Sequence, residues 1–149
     1  MSKHVATIHW QRQSEGFNYR DYNRDHNWSF EGGTRISASA APEFLGNAAN
    51  VDPEQAFVAS VSACHMLTFL AICAQRKIIV NSYNDKAVGT LEKNSAGRSA
   101  VTRIELSPRI EFEGLAPEKK VQQEIHHAAH EQCFIANSIH TKVTVLQTG

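Results

Sequence analysis

The feature that most constrains this chain is an apolar segment between positions 56 and 73. Its only polar interruptions are Ser60, Ser62, His65 and Thr68. A helix that is apolar almost all round has to be covered on most of its faces, so the segment predicts a buried central helix. A chain of 149 residues has little else to cover it with, so we expect a partner subunit. The alternative is a helix covered by its own sheet and by a second helix nearer the C-terminus.

The residues just before this segment carry a helix start. Asp52 is suited to the N-cap, Pro53 to the first helical position, and Gln55 to the third, where it can complete a capping box. We therefore predict a helix over 53–76.

Alternating apolar and polar residues predict the other elements. We expect a meander of short strands over 3–37, a loop over 38–51, a strand hairpin over 77–112, a helix over 117–132 and a terminal strand over 138–147. Within the hairpin, 94–97 is the expected turn and Pro108 marks an edge or a bulge. This order predicts one α+β domain over 1–149 with a largely antiparallel sheet.

Charge and cysteine content exclude several classes of protein. Fifteen Lys and Arg balance fifteen Asp and Glu, so neither nucleic acid nor an anionic membrane is an expected partner. The N-terminus lacks an apolar signal-peptide core, and we expect no segment long and uninterrupted enough to span a bilayer, which indicates the cytoplasm. Three cysteines without a CxxC pair indicate free thiols or one catalytic pair.

Cys64 and Cys133 are the candidate reactive thiols. If the helix breaks near Ser60 and Ser62, Cys64 lies in the first turn of a new segment, where free backbone N–H groups favour a thiolate. Cys133 follows the second predicted helix and should be accessible there. Both could equally be buried as small apolar residues, the usual state of free cysteine. Cys73, inside the apolar helix, is predicted to be core.

Two segments resemble the OsmC/Ohr family of osmotically inducible and organic hydroperoxide resistance proteins. The run VDPEQAFVAS at 51–60, followed by Ala63 and Cys64, is similar to that family's Asn-Pro-Glu-(Gln/Glu)-Leu…Ala-Ala-Cys signature. The run AHEQC at 129–133 looks like its second cysteine segment. The resemblance implies an OsmC-like fold, in which antiparallel sheets wrap around long buried central helices in an intertwined homodimer with sites at the subunit interface.

The resemblance also implies a thiol-dependent peroxidase that reduces organic hydroperoxides and, more weakly, hydrogen peroxide. Cys64 takes the peroxidatic role, Cys133 the resolving role and Glu54 the role of the site carboxylate. The chain would form a Cys64 sulfenic acid and then a Cys64–Cys133 disulfide. No cofactor is implied, but an external dithiol is needed as reductant, and the family suggests a lipoylated protein. Phe134 and His65 depart from the family pattern and leave the efficiency of turnover open.

The resemblance further implies an arginine at the site, for which Arg24 matches best and Arg35 and Arg20 are alternatives. A guanidinium can stabilise the thiolate and donate hydrogen bonds to peroxide oxygen, and Glu54 could hold it in a bidentate pair. Ten residues of straight helix separate Glu54 from Cys64 by about 15 Å and roughly 80°. The helix must therefore break, or an arginine must bridge the gap. Alternatively, Glu54 only complements the helix dipole.

Two other functions stay open. His126, His127, His130 and Cys133 have a spacing compatible with zinc ligands, because His126 and His130 share a helix face and Cys133 follows one turn later. The third reading is a non-catalytic dimeric binding domain of the same fold. His65, one position after Cys64, is expected to point away from the thiol because adjacent helix positions diverge by about 100°.

Overall fold

The computed structural model describes residues 1–147 in two compact units. The first comprises Met1–Ala56 and the second Phe57–Gly149, whose residues 148 and 149 lie outside the described part. The predicted single domain over 1–149 thus comprises both units.

The first unit contains a three-stranded antiparallel sheet. Its strands, in the order β1-β2-β3, are β1 (Ala6–His9), β2 (His26–Phe30) and β3 (Arg35–Ala38). The prediction of a strand meander over 3–37 is right for these segments, but between β1 and β2 Phe17 has no regular structure and Tyr19 lies in a turn. The predicted loop contains a short 3-10 helix, Pro42–Phe44, and Val51 forms a parallel bridge with Ala38.

The helix α1 (Pro53–Gln75) begins with the predicted capping box. The Asp52 carboxylate accepts a hydrogen bond from the Gln55 N–H at 2.8 Å, and the Gln55 side-chain oxygen accepts one from the Asp52 N–H at 3.0 Å. The break considered near Ser60 and Ser62 does not occur. The Ser60 hydroxyl bonds back to the Phe57 carbonyl at 2.7 Å, which a helix tolerates, and the Ser62 hydroxyl donates to the Asp85 carboxylate.

The second unit contains two sheets where one long hairpin was predicted. One pairs β4 (Val80–Asp85) with β7 (Pro108–Phe112), and the other has the order β5-β6-β8, from β5 (Val88–Lys93), β6 (Ser99–Leu106) and β8 (Lys142–Val145). Strand β6 ends just before Ser107, whose N–H donates to the Asp85 carboxylate at 2.6 Å. Pro108, which has no N–H to donate, begins the new strand. The β5–β6 turn at 94–97 is confirmed, with Gly97 at φ 74°.

The C-terminal elements differ from prediction mainly in their bounds. Helix α2 (Lys119–Gln132) begins two residues later than expected. The strand β8 is shorter than the predicted 138–147, and Ala136–Ser138 forms a 3-10 helix. The pairing of β6 with β8 is parallel. The sheets of this unit are therefore mostly, but not entirely, antiparallel.

One face of α1 packs on two hydrophobic clusters of the second unit. Val61 packs with Ile104 and Leu106 of β6. Two turns later, Phe69 packs with Ile125 of α2 among side chains from β4 and β7. The helix also approaches β5 so closely at Gly89 that an added Cβ there would lie 2.5 Å from Val58 Cγ2.

The other face of α1 is exposed in this single chain, so the chain itself does not cover the helix on most sides. Leu67 is 63% exposed, and the small residues Ala59, Ala63 and Ala71 on the same face are also exposed.

We expected no segment able to span a bilayer. By length and composition this expectation is wrong, because α1 is long and apolar enough to cross one. The core helix of a soluble protein meets the same criterion.

Candidate functional site

The structure brings together two of the predicted site residues, Cys64 and Cys133. Cys64 is half-buried on α1, and Cys133, 1% exposed, follows the last residue of α2. Both thiols are free. Burial, followed by a hydrogen bond to the Cys64 side chain, raises the pKa of Cys133. The pKa of Cys133 therefore responds to Cys64, so the two side chains lie next to each other.

The turn that presents Cys133 forms with Phe134 at the position where the sequence departs from the family pattern. The Ala136 N–H donates to the Cys133 sulfur at 3.4 Å, and the Asn137 N–H donates to the Cys133 carbonyl at 3.0 Å. Phe134 occupies the next position and is 81% exposed. The departure at Phe134 therefore leaves the two thiols in contact.

Cys73 lies apart from this pair, in the cluster that contains Phe69 and Ile125. It is buried, and burial raises the pKa of its thiol. Both properties disfavour a reactive thiolate, so the prediction that Cys73 is a core residue is confirmed.

Arg24 and Glu54 line one cavity within the first unit. The cavity has a volume of about 570 Å³, and its other walls are mainly apolar and aromatic, including Trp10, Phe17 and Phe44. Of the three candidate arginines, only Arg24 is among the residues that line it, while Arg20 and Arg35 are exposed. This cavity combines a fixed positive charge with room for an apolar group.

The predicted bidentate pair between Arg24 and Glu54 is not formed. The Arg24 guanidinium instead donates to the carbonyl oxygens of Tyr19 and Tyr22, and its Cζ lies 3.7 Å from the centroid of the Tyr22 ring. Local backbone acceptors and a ring face satisfy the guanidinium, so Glu54 is not needed to hold it. Because α1 is unbroken, its first turn is also not folded back toward Cys64.

His65 and His126 form a buried pair that sequence analysis did not find. His65, 1% exposed, places its Nε2 3.0 Å from His126 Nδ1, and the two rings are stacked with 5.3 Å between centroids. Burial, then the nearby His126 and His130, lower the pKa of His65 to about 4. Burial also lowers the pKa of His126, which the Asp85 carboxylate partly opposes. As expected, the His65 ring contacts a different residue, His126, and not its sequence neighbour Cys64.

The alternative prediction of a zinc site on the α2 histidines is not supported. No group of three His, Cys, Asp or Glu side chains within residues 1–147 is placed to hold a metal ion. His126 is paired with His65, His127 with Glu131 at 3.1 Å, and Cys133 with Cys64. Sequence spacing suggested a shared ligand set, but these side chains have separate partners.

The low pKa of His65 predicts a loss of stability in mild acid. The unfolded chain binds a proton near pH 6.5 and the folded chain only near pH 4, so stability falls as the pH drops through that interval. The loss attributable to His65 is about 3 kcal/mol. Chemical denaturation between pH 7 and 4 should show a flatter profile for His65→Gln. The exposed His127→Gln is the control, and equal slopes in both variants would contradict this assignment.

The comparisons with known proteins agree with the sequence resemblance. A family model described as OsmC-like protein matches residues 46–146. The comparison with curated proteins found no match.

Among solved structures, an OsmC-like protein of unknown function from Vibrio cholerae is 48% identical, with a TM-score of 0.93 over 98% of this chain and 99% of that one. An organic hydroperoxide resistance protein from Elizabethkingia anophelis is 19% identical, with a TM-score of 0.73 over 99% and 98%. An OsmC-like protein from Mycoplasma pneumoniae is 17% identical, with a TM-score of 0.75 over 99% and 96%. The latter two support the fold alone. The chain therefore belongs to the OsmC-like protein family and has the OsmC-like fold.

Proposed function

We propose that this protein is a thiol-dependent peroxidase that reduces organic hydroperoxides, and hydrogen peroxide more weakly, with Cys64 as the attacking thiolate and Cys133 as the resolving thiol. The observation that carries the proposal is that these two free thiols, which are far apart in sequence, lie next to each other. Family membership adds support, since related structures include organic hydroperoxide resistance proteins.

The first step is attack of the Cys64 thiolate on the distal peroxide oxygen. The O–O bond breaks, the alkoxide leaves and takes up a proton to become an alcohol, and Cys64 becomes a sulfenic acid. Cys133 lies beside this thiol, and because its own pKa is raised it retains its proton while Cys64 attacks.

The second step is condensation of the two cysteines. The Cys133 sulfur attacks the sulfenic sulfur, water leaves, and a Cys64–Cys133 disulfide forms. The existing contact means that little movement is needed before this bond closes. An external dithiol then reduces the disulfide by exchange, and a lipoylated protein is the reductant that the family suggests. The cycle needs no bound cofactor and suits a reducing compartment, which we take to be the cytoplasm.

Arg24 and Glu54 complete the proposed site. Arg24 would stabilise the thiolate and the departing oxygen, and the apolar walls of its cavity would take the organic part of the substrate. Glu54, on the same cavity, would orient the guanidinium once substrate is bound. We propose that the site is completed at a subunit interface, as the family resemblance implies.

The homodimer in this proposal is supported by the exposed face of α1. A row of small residues around Leu67 lets another helix approach closely, and leaving such an apolar row in water is unfavourable. We propose that a second copy of this chain covers it.

The thiol chemistry is tested by stopped-flow reduction of cumene hydroperoxide and hydrogen peroxide with dithiothreitol as reductant. We expect Cys64→Ser to abolish turnover and the natural protein to prefer the organic substrate. In a separate reaction without dithiothreitol, Cys133→Ser should consume one equivalent of peroxide and accumulate a sulfenic acid that dimedone traps. Cys73→Ala is the matched control and should retain turnover. Equal slow rates in the natural protein and Cys64→Ser would instead favour a binding domain.

The arginine assignment is tested by exchanging each candidate for lysine. Arg24→Lys should lower kcat/KM for cumene hydroperoxide by about 10-fold or more, since a lysine keeps the charge but loses the planar pair of donors. Arg20→Lys and Arg35→Lys should retain the natural rate. A selective loss in either of these two would reassign the role.

The dimer is tested by Leu67→Arg, analysed by sedimentation equilibrium. A charge in the buried interface should shift the natural dimer to monomer at micromolar concentration. Leu115→Arg is the control, because Leu115 is 98% exposed and lies outside α1. A natural protein that is monomeric, or a Leu67→Arg dimer as stable as the control, would contradict this interface.

A further inference from the structure

A second cavity lies in the second unit, between α2, Pro108 and the segment that includes β8. Its volume is about 440 Å³. One wall is polar and basic, with Lys119, His126 and His130 from α2, and the opposite wall is apolar, with Pro108, Val143 and Val145. No Asp or Glu side chain is among the described residues that line it. The proposed peroxide chemistry uses none of these side chains.

The first turn of α2 opens on this cavity. Lys119 is its first residue, and the preceding Glu118 forms no side-chain cap, so no side chain of the N-cap satisfies the early N–H groups. The positive end of the helix dipole adds to the Lys119 charge. Both features favour an electron-rich ligand group at this end of the cavity.

The hydrogen bond between His65 and His126 determines which ring nitrogen of His126 carries a proton. His65 uses Nε2 to contact His126 Nδ1, and its own Nδ1 is buried without a partner. A buried N–H without an acceptor is rarer in proteins than an acceptor without a donor. The favoured tautomer of His65 therefore carries its proton on Nε2 and donates it to His126 Nδ1.

This assignment leaves His126 with its single proton on Nε2. Both rings are neutral at neutral pH, because burial lowers their pKa values. His126 lines the cavity, and its Nε2 is not among the buried unpartnered atoms. His126 thus has an N–H donor available on a cavity that Lys119 also lines.

Two carboxylates near these residues are already engaged. The Asp85 carboxylate raises the pKa of His126, against the effect of burial. It already accepts hydrogen bonds from the Ser62 hydroxyl and from the Ser107 N–H. Glu131 pairs with His127. The donors of Lys119 and His126 therefore have no protein carboxylate as a partner among the described residues.

We propose that this cavity is a second ligand site, which binds a small organic carboxylate through Lys119 and His126 and packs its apolar body against Pro108, Val143 and Val145. The chemistry on one wall matches an anionic acceptor, and the opposite wall matches a hydrocarbon or an aromatic ring. A fully polar anion such as phosphate would leave that wall unused, so a carboxylate with an apolar body is the better match.

The probe is phenylacetate, compared with phenylacetamide, which has nearly the same shape without the charge. Binding to the full chain is measured by isothermal titration calorimetry. We expect saturable binding of phenylacetate that is at least 10-fold tighter than that of the amide, as a charge-assisted hydrogen bond allows. Lys119→Gln should weaken it about 10-fold, and His126→Leu should do the same. Lys120→Gln, a neighbouring exposed lysine outside the cavity, should bind like the natural protein.

Imidazole NMR signals locate the probe, because the arginine-containing cavity of the first unit is lined by His26 and this one by His126 and His130. Titration should shift the His126 and His130 signals, and ¹⁵N shifts should show the proton of His126 on Nε2. Shifts confined to His26, equal binding of acid and amide, or equal effects of Lys119→Gln and Lys120→Gln would each overturn the proposal. Since Lys119 is a surface side chain, that variant tests the site even if His126→Leu fails to fold.

Discussion

The packing of one helix face organises the second unit of this protein. Val61, His65 and Phe69 follow one another at four-residue spacing on α1 and are all buried. Val61 belongs to the cluster on β6, and Phe69 to the cluster formed with α2. The helix is therefore shared by two cores, and moving it along its axis would disturb both. Cys64 and His65 lie between these two anchors, which hold their positions relative to α2.

That arrangement gives two neighbouring residues different chemical environments. Cys64 is half-buried and lies beside Cys133, whose pKa is raised mainly by burial. His65, next in sequence, is buried against His126 and held neutral by desolvation. The separation arises because successive helix positions point about 100° apart. One turn of α1 thus contributes to a thiol pair on one side and to a neutral imidazole pair on another.

Local sequence signals predicted local structure well. The capping box of Asp52 and Gln55 and the turn at 94–97 were both readable because each rests on hydrogen bonds between residues close in sequence. The family resemblance identified Cys64 and Cys133 as a pair, and the structure places them in contact. Interactions across long separations were misjudged. The hydrogen bond from the Ser107 N–H to the Asp85 carboxylate lies where β6 and β4 end. No pattern in the neighbouring sequence predicts it.

The sequence by itself therefore determined the helix start, the places of the two helices among the strands and the family, and it singled out Cys64 and Cys133 as the candidate thiols. Only the tertiary structure decided that α1 runs unbroken past Ser60 and Ser62, that β6 pairs in parallel with β8, that Arg24 is held by backbone carbonyls, and that His65 meets His126. The physical reason is that capping and turn geometry are satisfied within a few residues. The partners of a buried hydroxyl, guanidinium or imidazole are instead set by whichever distant groups the packing brings within hydrogen-bond reach.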